Sequence, residues 1–244
     1  MTKSYRFLPL FAAAMAAAQG GFSYTSSAGD VTLNARSGLV EIPAAGSSVY
    51  KFKLRTGVTA RSRKDGIVIS ASEVTGELTS RGKDTVIRHA VATGGVRLVK
   101  TGSGSTNTIT GARADYTDQG SSALVVMSGG VRITSNSSVK RQMWVITGPS
   151  GQAVLDPAAR KGAGLRTVTM SGGARVDLTQ PRGGNVTATG RQLTLDQAAR
   201  TVTLSGGVTV KGSGASSFGT LQNAQRAVLR LNEKGEVVAS EVSS

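Results

Sequence analysis

Residues Val202–Gly212 read VTLSGGVTVKG, which is a short apolar strand, a pair of glycines and a second short strand. Close variants of this stretch occur earlier in the chain, as VATGGVRLV at Val91–Val99, VVMSGGVRIT at Val125–Thr134 and VTMSGGARVDL at Val168–Leu178. In each copy, apolar residues alternate with polar or charged residues, which is the period of a strand with one buried face. The pattern therefore predicts β-structure with one apolar wall and one hydrated wall.

The copies recur at a nearly constant period. Their second glycines are Gly95, Gly130, Gly173 and Gly207, which lie 35, 43 and 34 residues apart. A fainter copy, FKLRTGVTAR, has Gly57 at the same place, 38 residues before Gly95. Five copies at this spacing indicate a repeat architecture.

Each glycine pair is preceded by a hairpin pattern. In GARADYTDQGSSALVVMSGG, for example, a strand runs into a polar turn and a second strand returns to the glycines. Since paired glycines weaken a strand, we expect each pair to mark a bulge or corner where the strand bends and its facing parity resets. The alternative is an ordinary turn between two hairpins. Corners at matching places predict an open, twisted β-jelly-roll or β-roll built from repeated hairpins, or a solenoid.

The composition agrees with an all-β chain that contains neither disulfides nor thiolate sites. The 244 residues are 39% hydrophobic but only 4% aromatic, with 32 glycines and no cysteine. Val, Thr and Ser in short alternating runs favour strands over helices. Stability must therefore come from apolar burial and the backbone hydrogen-bond ladder.

The first residues resemble a secretory signal. Lys3 and Arg6 precede the apolar run Phe7–Ala18, which ends in small residues and is shorter than the roughly 20 residues that span a bilayer. We expect residues 1–18 to be a signal peptide, residues 19–50 a leading segment that acts as a cap or a degenerate repeat, and residues 51–244 the repeat domain. A short uncleaved anchor and a buried strand are the alternatives for the apolar run.

The charge of the chain points to an anionic partner. The formal charge is +15, or 15 − 2 = +13 once Lys3 and Arg6 are removed with the signal. Such an excess of positive charge implies an anionic partner, which could be nucleic acid, an anionic membrane or an anionic lipid headgroup. Export argues against nucleic acid. Most of the basic residues stand singly along strands, where they also suit simple solvation.

The repeat unit resembles a known family. Ala112, Ala114 and Tyr116, followed by VVMSGGVRIT, and the later copy RQLTLDQAARTVTLSGGVTV, resemble the OstA-like repeat of the lipopolysaccharide-transport proteins LptA, LptC and the N-terminal part of LptD. The likeness covers roughly residues 52–242. Family members commonly have Asn at the second glycine position, where this chain keeps Gly.

The resemblance implies an open periplasmic β-jelly-roll that holds acyl chains inside and lines up end to end into a bridge between membranes. It implies lipopolysaccharide or another anionic glycolipid as ligand, a role in outer-membrane biogenesis, and LptC-like and LptD-like partners or head-to-tail self-association, with no nucleic acid. An LptA-like soluble bridge is favoured over an LptC-like member. The rival hypothesis is a secreted structural or adhesive β-solenoid that carries no ligand.

The sequence contains no pattern typical of an enzyme, a metal site or a cofactor site. The single histidine, His89, has no second catalytic group nearby in sequence, and the glycine pairs lack the spacing of phosphate loops. Arg97, Arg132 and Lys211 are candidate contacts to lipid headgroups near the mouth of a groove. The expected groove lining, for which plain core packing is the alternative, is Val96, Leu98, Met127, Val131, Ile133, Met170, Val176, Leu204, Val208 and Val210.

Overall fold

The computed structural model of the chain describes residues 21–25, 31–41, 49–62, 66–81, 84–102, 104–137, 142–155, 165–180, 184–214, 220–233 and 236–243. The signal segment expected at residues 1–18 lies outside these ranges. Within them all regular structure is β-strand, which confirms the all-β prediction. The strands are β1 (Phe22–Thr25), β2 (Val31–Ala35), β3 (Ser37–Glu41), β4 (Val49–Ser62), β5 (Ile67–Arg81), β6 (Asp84–Gly102), β7 (Ser105–Asp118), β8 (Ala123–Ser137), β9 (Gln142–Leu155), β10 (Leu165–Thr179), β11 (Asn185–Asp196), β12 (Thr201–Ser213), β13 (Thr220–Leu231) and β14 (Val237–Ser243).

The 14 strands form one antiparallel sheet in which neighbours in sequence pair with each other. The order runs from β1 and β2 through β4 to β14, and β3 pairs with β4 beside β2. The leading segment therefore continues the same sheet, with β2 and β3 lying on successive halves of β4. Because β1 and β14 do not pair, the described sheet stays open, and the fold is the open β-jelly-roll of repeated hairpins that the sequence predicts.

The glycine pairs are corners inside continuous strands. β8 runs without interruption through Gly129 and Gly130, whose φ angles are 78° and 76°. The pairing of β8 with β9 shifts register between Ser128 and Val131, as a β-bulge requires. The faint copy behaves in the same way, with Thr56 and Gly57 at φ 62° and 65°. The corner prediction is thus confirmed, and the alternative of a turn between hairpins is wrong.

The prediction that facing parity resets at the glycines is wrong for the strands that carry them. In β8, Met127 before the corner and Val131 after it are both buried and lie four residues apart, so the parity is kept. The reset occurs on the neighbouring strands. In β7, for instance, Gly111 and Ala114 pair with inward-facing positions on either side of the corner and lie three residues apart. The reason is that the glycine strand holds one residue more than its neighbour at each corner.

The row of corners divides the sheet into two arms. We call the half of the sheet aligned with Val49–Arg55 of β4 the first arm, and the half aligned with Val58–Ser62 the second arm. Inward-facing residues of both arms belong to one buried cluster that extends from β7 to β14. A sheet face can be buried in this way only if something covers it, so the inner faces of the two arms cover each other.

No helix in the described ranges is long and apolar enough to cross a membrane.

Candidate functional site

The inner face carries uninterrupted apolar rows along the length of the sheet. On the second arm, cross-strand pairing aligns one inward-facing residue from each successive strand, beginning with Tyr24 of β1 and ending with Leu221 of β13. Every member of this row is apolar or aromatic, because each strand places its apolar residues at the same register. The row consists of Tyr24, Leu33, Ala60, Ile69, Leu98, Ile109, Ile133, Ile146, Val176, Ala188, Val210 and Leu221.

The structure brings the ten expected lining residues together on this inner face, but it buries nine of them against the protein itself. Only Leu98 keeps part of its surface accessible. The buried nine are Val96, Met127, Val131, Ile133, Met170, Val176, Leu204, Val208 and Val210. In this structure they are core residues, and they could line a groove only if the two arms moved apart.

Burial is graded along the sheet. From β9 to β13 most inner residues are sealed, with 0% exposure at Met170, Val176 and Leu204, whereas Trp144, Leu155 and Leu221 are only partly buried. From β5 to β7 several inner residues, including Ile69, Val74 and Ala90, are only partly buried. Partly accessible inner residues therefore concentrate in the N-terminal half of the sheet, β1–β7, and β5–β7 is one section of that half.

The free end of the second arm adds a polar rim to this accessible section. Beyond Leu98, the next inward-facing position on β6 is Lys100, which pairs with Asn107 of β7. Asn107 in turn pairs with Ser135 of β8. Lys100 is thus a cation that lies beside the partly accessible interior. Its signal in the sequence is that Lys100 continues the inward alternation of Val96 and Leu98 to the end of β6.

The three cations expected to contact headgroups lie elsewhere. Arg97, Arg132 and Lys211 are exposed on the outer face of the second arm, and neither arginine is near the free end of its strand. Arg97 follows the corner glycine Gly95 by two residues, so it lies close to the bend. The structure thus places these residues together on one surface, but not beside the inner apolar rows.

Tyr116 contributes a phenol to the inner face of the first arm. It pairs with Ala90 on one side and Val125 on the other, so its neighbours across the strands are apolar. Burial, together with the charge of Asp118, raises the pKa of the Tyr116 phenol above its ordinary value. The group therefore stays neutral through the physiological range and can serve as a hydrogen-bond donor within the apolar interior.

The outer face of the first arm holds the only histidine of the chain. His89 Nε2 lies 2.8 Å from Asp115 Oδ1, and Asp115 also approaches Arg113. A shallow depression of about 290 Å³ nearby is lined by charged side chains such as Lys53 and Glu77 as well as by His89. Among the described residues no three His, Asp or Glu side chains are grouped as metal ligands.

Asp177 on the second arm provides a pH-dependent contact. Its carboxylate accepts two hydrogen bonds from Arg175, at 2.8 and 2.7 Å, and one from the Thr187 hydroxyl. The hydrogen bonds from Arg175 are the largest cause that holds the pKa of Asp177 below its ordinary value. Because the folded state favours the ionised form, the contact stabilises the protein above the unfolded pKa, and this stability is lost as the pH falls through the folded pKa.

We therefore expect Asp177→Asn to destabilise the protein at pH 6 by less than about 1 kcal/mol, since the pair is largely exposed. The difference from the unsubstituted chain should shrink as the pH falls below the ordinary aspartate range. Urea unfolding of both proteins between pH 6 and pH 3 measures it. A difference that grows towards low pH would contradict this assignment.

Comparison with known proteins gives no relative from which a function could be transferred. No family model matches the chain, and neither a curated protein nor a solved structure matches it.

Proposed function

We propose that the chain is a periplasmic lipid-binding bridge protein that carries lipopolysaccharide or a related anionic glycolipid towards the outer membrane. Acyl chains lie between the two arms, beginning at the accessible section of β5–β7. Lys100 at the free end of the second arm faces the phosphate groups of the lipid. The proposal rests on the resemblance of the repeat and on the geometry of the inner face.

One observation carries the proposal. The inner apolar rows run continuously from strand to strand and remain partly accessible at β5–β7, where Ile69, Val74 and Leu98 keep exposed surface. Each methylene taken from water contributes about 0.8 kcal/mol, so a few acyl chains supply a large driving force. The side chains on this section include the small Ala90, which is partly exposed, and Ala92, which is buried.

The edges of the sheet support the partners in the proposal. β14 is an edge strand that exposes apolar side chains, with Val238 59% and Val242 45% exposed, and β3 exposes Leu39 at 57%. Unpaired strand edges invite another strand to add to the sheet. LptC-like or LptD-like proteins, or a second copy joined head to tail, would meet these edges.

The closed core from β9 to β13 favours a second candidate function, a structural or adhesive β-solenoid without a ligand. In that half of the sheet the interior is filled by its own side chains, as Val168, Leu193 and Leu229 show with 0% exposure. If the section at β5–β7 also stays dry in solution, the whole interior is a core. Lipid uptake distinguishes the two candidates.

The test uses delipidated protein and fluorescently labelled lipopolysaccharide in detergent-free buffer. We expect saturable uptake that Leu98→Glu weakens by at least about tenfold, equivalent to about 1.4 kcal/mol. Val99→Glu is the matched control, because Val99 is the next residue of β6 and faces the opposite side of the sheet. Uptake that is absent, or that both variants lose equally, would favour the structural candidate.

A further inference from the structure

The acidic residues are distributed unequally between the two arms. Of the eleven acidic residues in the described ranges, ten lie on the first arm or its connecting turns, and only Asp177 lies on the second arm. In contrast to this single acid, the outer face of the second arm exposes five basic residues. We call these the cationic face; they are Arg61, Arg97, Arg132, Arg175 and Lys211.

Three of these arginines form a regular row. Arg97, Arg132 and Arg175 lie on β6, β8 and β10, and cross-strand pairing joins them through Thr110 and Thr147 on the strands between. Neighbouring strands lie about 4.8 Å apart, so successive arginines are spaced by roughly 9.6 Å. The three arginines are exposed, and their guanidinium groups can donate hydrogen bonds to phosphate oxygens, while the Thr110 hydroxyl between them donates to the backbone oxygen of Arg132.

Among the described residues, Asp177 is the one acid on this face, so most of its positive charge has no acidic partner there. Arg175 is engaged with Asp177 at 2.7 Å. Arg97 and Arg132 make no ion pair among the described residues, although Arg132 is close enough to Asp177 to contribute to its lowered pKa. On the first arm some of the outer arginines contact acids: Arg113 contacts Asp115, and Arg230 contacts Glu241.

We propose that the cationic face docks on the surface of an anionic phospholipid membrane. The complementary charge is not available on a second copy of this chain, since the acids of the first arm are interspersed with basic residues. Nucleic acid is disfavoured because none of the described residues on this face is aromatic, whereas sheets that bind single strands stack bases on aromatic side chains. A sheet face with a row of arginines that can donate hydrogen bonds to phosphate oxygens matches the surface of an anionic bilayer. This inference does not depend on lipid uptake by the interior.

The experiment measures sedimentation of the full chain with vesicles of phosphatidylcholine, with and without 30% phosphatidylglycerol. We expect binding only to the anionic vesicles, weakening with salt as surface charges are screened. Each basic residue near an anionic surface contributes about fivefold to the affinity, so Arg97→Gln/Arg132→Gln should weaken binding by about 25-fold. Both side chains are exposed, so the variant should fold, which circular dichroism checks.

Matched variants make the result specific to this face. Arg113→Gln/Arg226→Gln removes the same charge from the outer face of the first arm and should bind nearly as well as the unsubstituted chain. Asp177→Asn should bind about fivefold more tightly, because it frees Arg175. Leu98→Glu should leave vesicle binding unchanged even if it abolishes lipid uptake, which separates this inference from the proposed function.

Three results would overturn the proposal. The first is a failure of the unsubstituted chain to bind anionic vesicles at low salt. The second is an equal loss from both double variants, which would show that net charge alone drives binding. The third is tighter binding of a single-stranded oligonucleotide at the same salt with the same dependence on Arg97 and Arg132, which would assign the face to nucleic acid.

Discussion

Aspartate in place of Val168 will unfold the protein, whereas aspartate in place of Val126 will leave it folded. Val168 faces inward on the first arm, has 0% of its surface exposed and belongs to the cluster formed by both arms. A carboxylate there is buried without a partner, which costs several kcal/mol against a total stability of about 5–15 kcal/mol. Val126 lies on the outer face of the same arm and is 45% exposed, so its aspartate stays hydrated.

The measurement is the urea midpoint of both variants, followed by tryptophan fluorescence, since Trp144 packs against the cluster. The pair of variants also decides how far an open interior extends. If Val168→Asp folds with nearly the stability of Val126→Asp, then water reaches the inner face at β10, and the lipid site continues beyond β5–β7. If it unfolds, β9–β13 is a closed core that anchors the accessible section.

The fold could be predicted from the repeat because the alternation of apolar residues, the glycine pairs and the repeated hairpins all indicate the same bent antiparallel sheet. Alternation in VVMSGGVRIT places Met127, Val131 and Ile133 on one face, and the glycine pair fixes the bend between them. The local pattern repeats in the next unit, so cross-strand partners match without any long-range information. Most residues of the inner face could therefore be predicted from the alternation of apolar residues.

Burial could not be predicted in the same way. The alternation shows that Val176 and Leu98 face inward, but it does not reveal how closely the opposite arm approaches each of them. That distance depends on the bend at every corner and on side chains from distant strands, so one of these residues is sealed and the other accessible. The inward position of Lys100 follows from the alternation along β6, whereas the concentration of acidic residues on the first arm becomes visible only when the strands are paired.

The two glycines of a corner will differ sharply in their tolerance of a side chain. Gly129 and Gly130 have nearly the same positive φ, so the backbone cost of asparagine is similar at both. Asparagine adopts this region more readily than most residues, and Asn223 already does so in β13 at φ 60°. A Cβ at Gly130 meets nothing within 4 Å, but a Cβ at Gly129 collides with the Cβ of Ala112. The clash alone distinguishes the two positions.

We expect Gly130→Asn to cost less than about 1 kcal/mol and Gly129→Asn about 2 kcal/mol more, the range of overpacking in a close contact. Chemical denaturation of both variants measures the difference. Ala112→Gly should restore part of the loss in Gly129→Asn and none in Gly130→Asn, because only the first pair is in contact. Equal losses at the two glycines would mean that the positive-φ backbone conformation, and not the contact with Ala112, determines the loss of stability. The expected inequality instead means that the first glycine is required for close strand approach, while the second is free to become Asn, as in the OstA-like pattern.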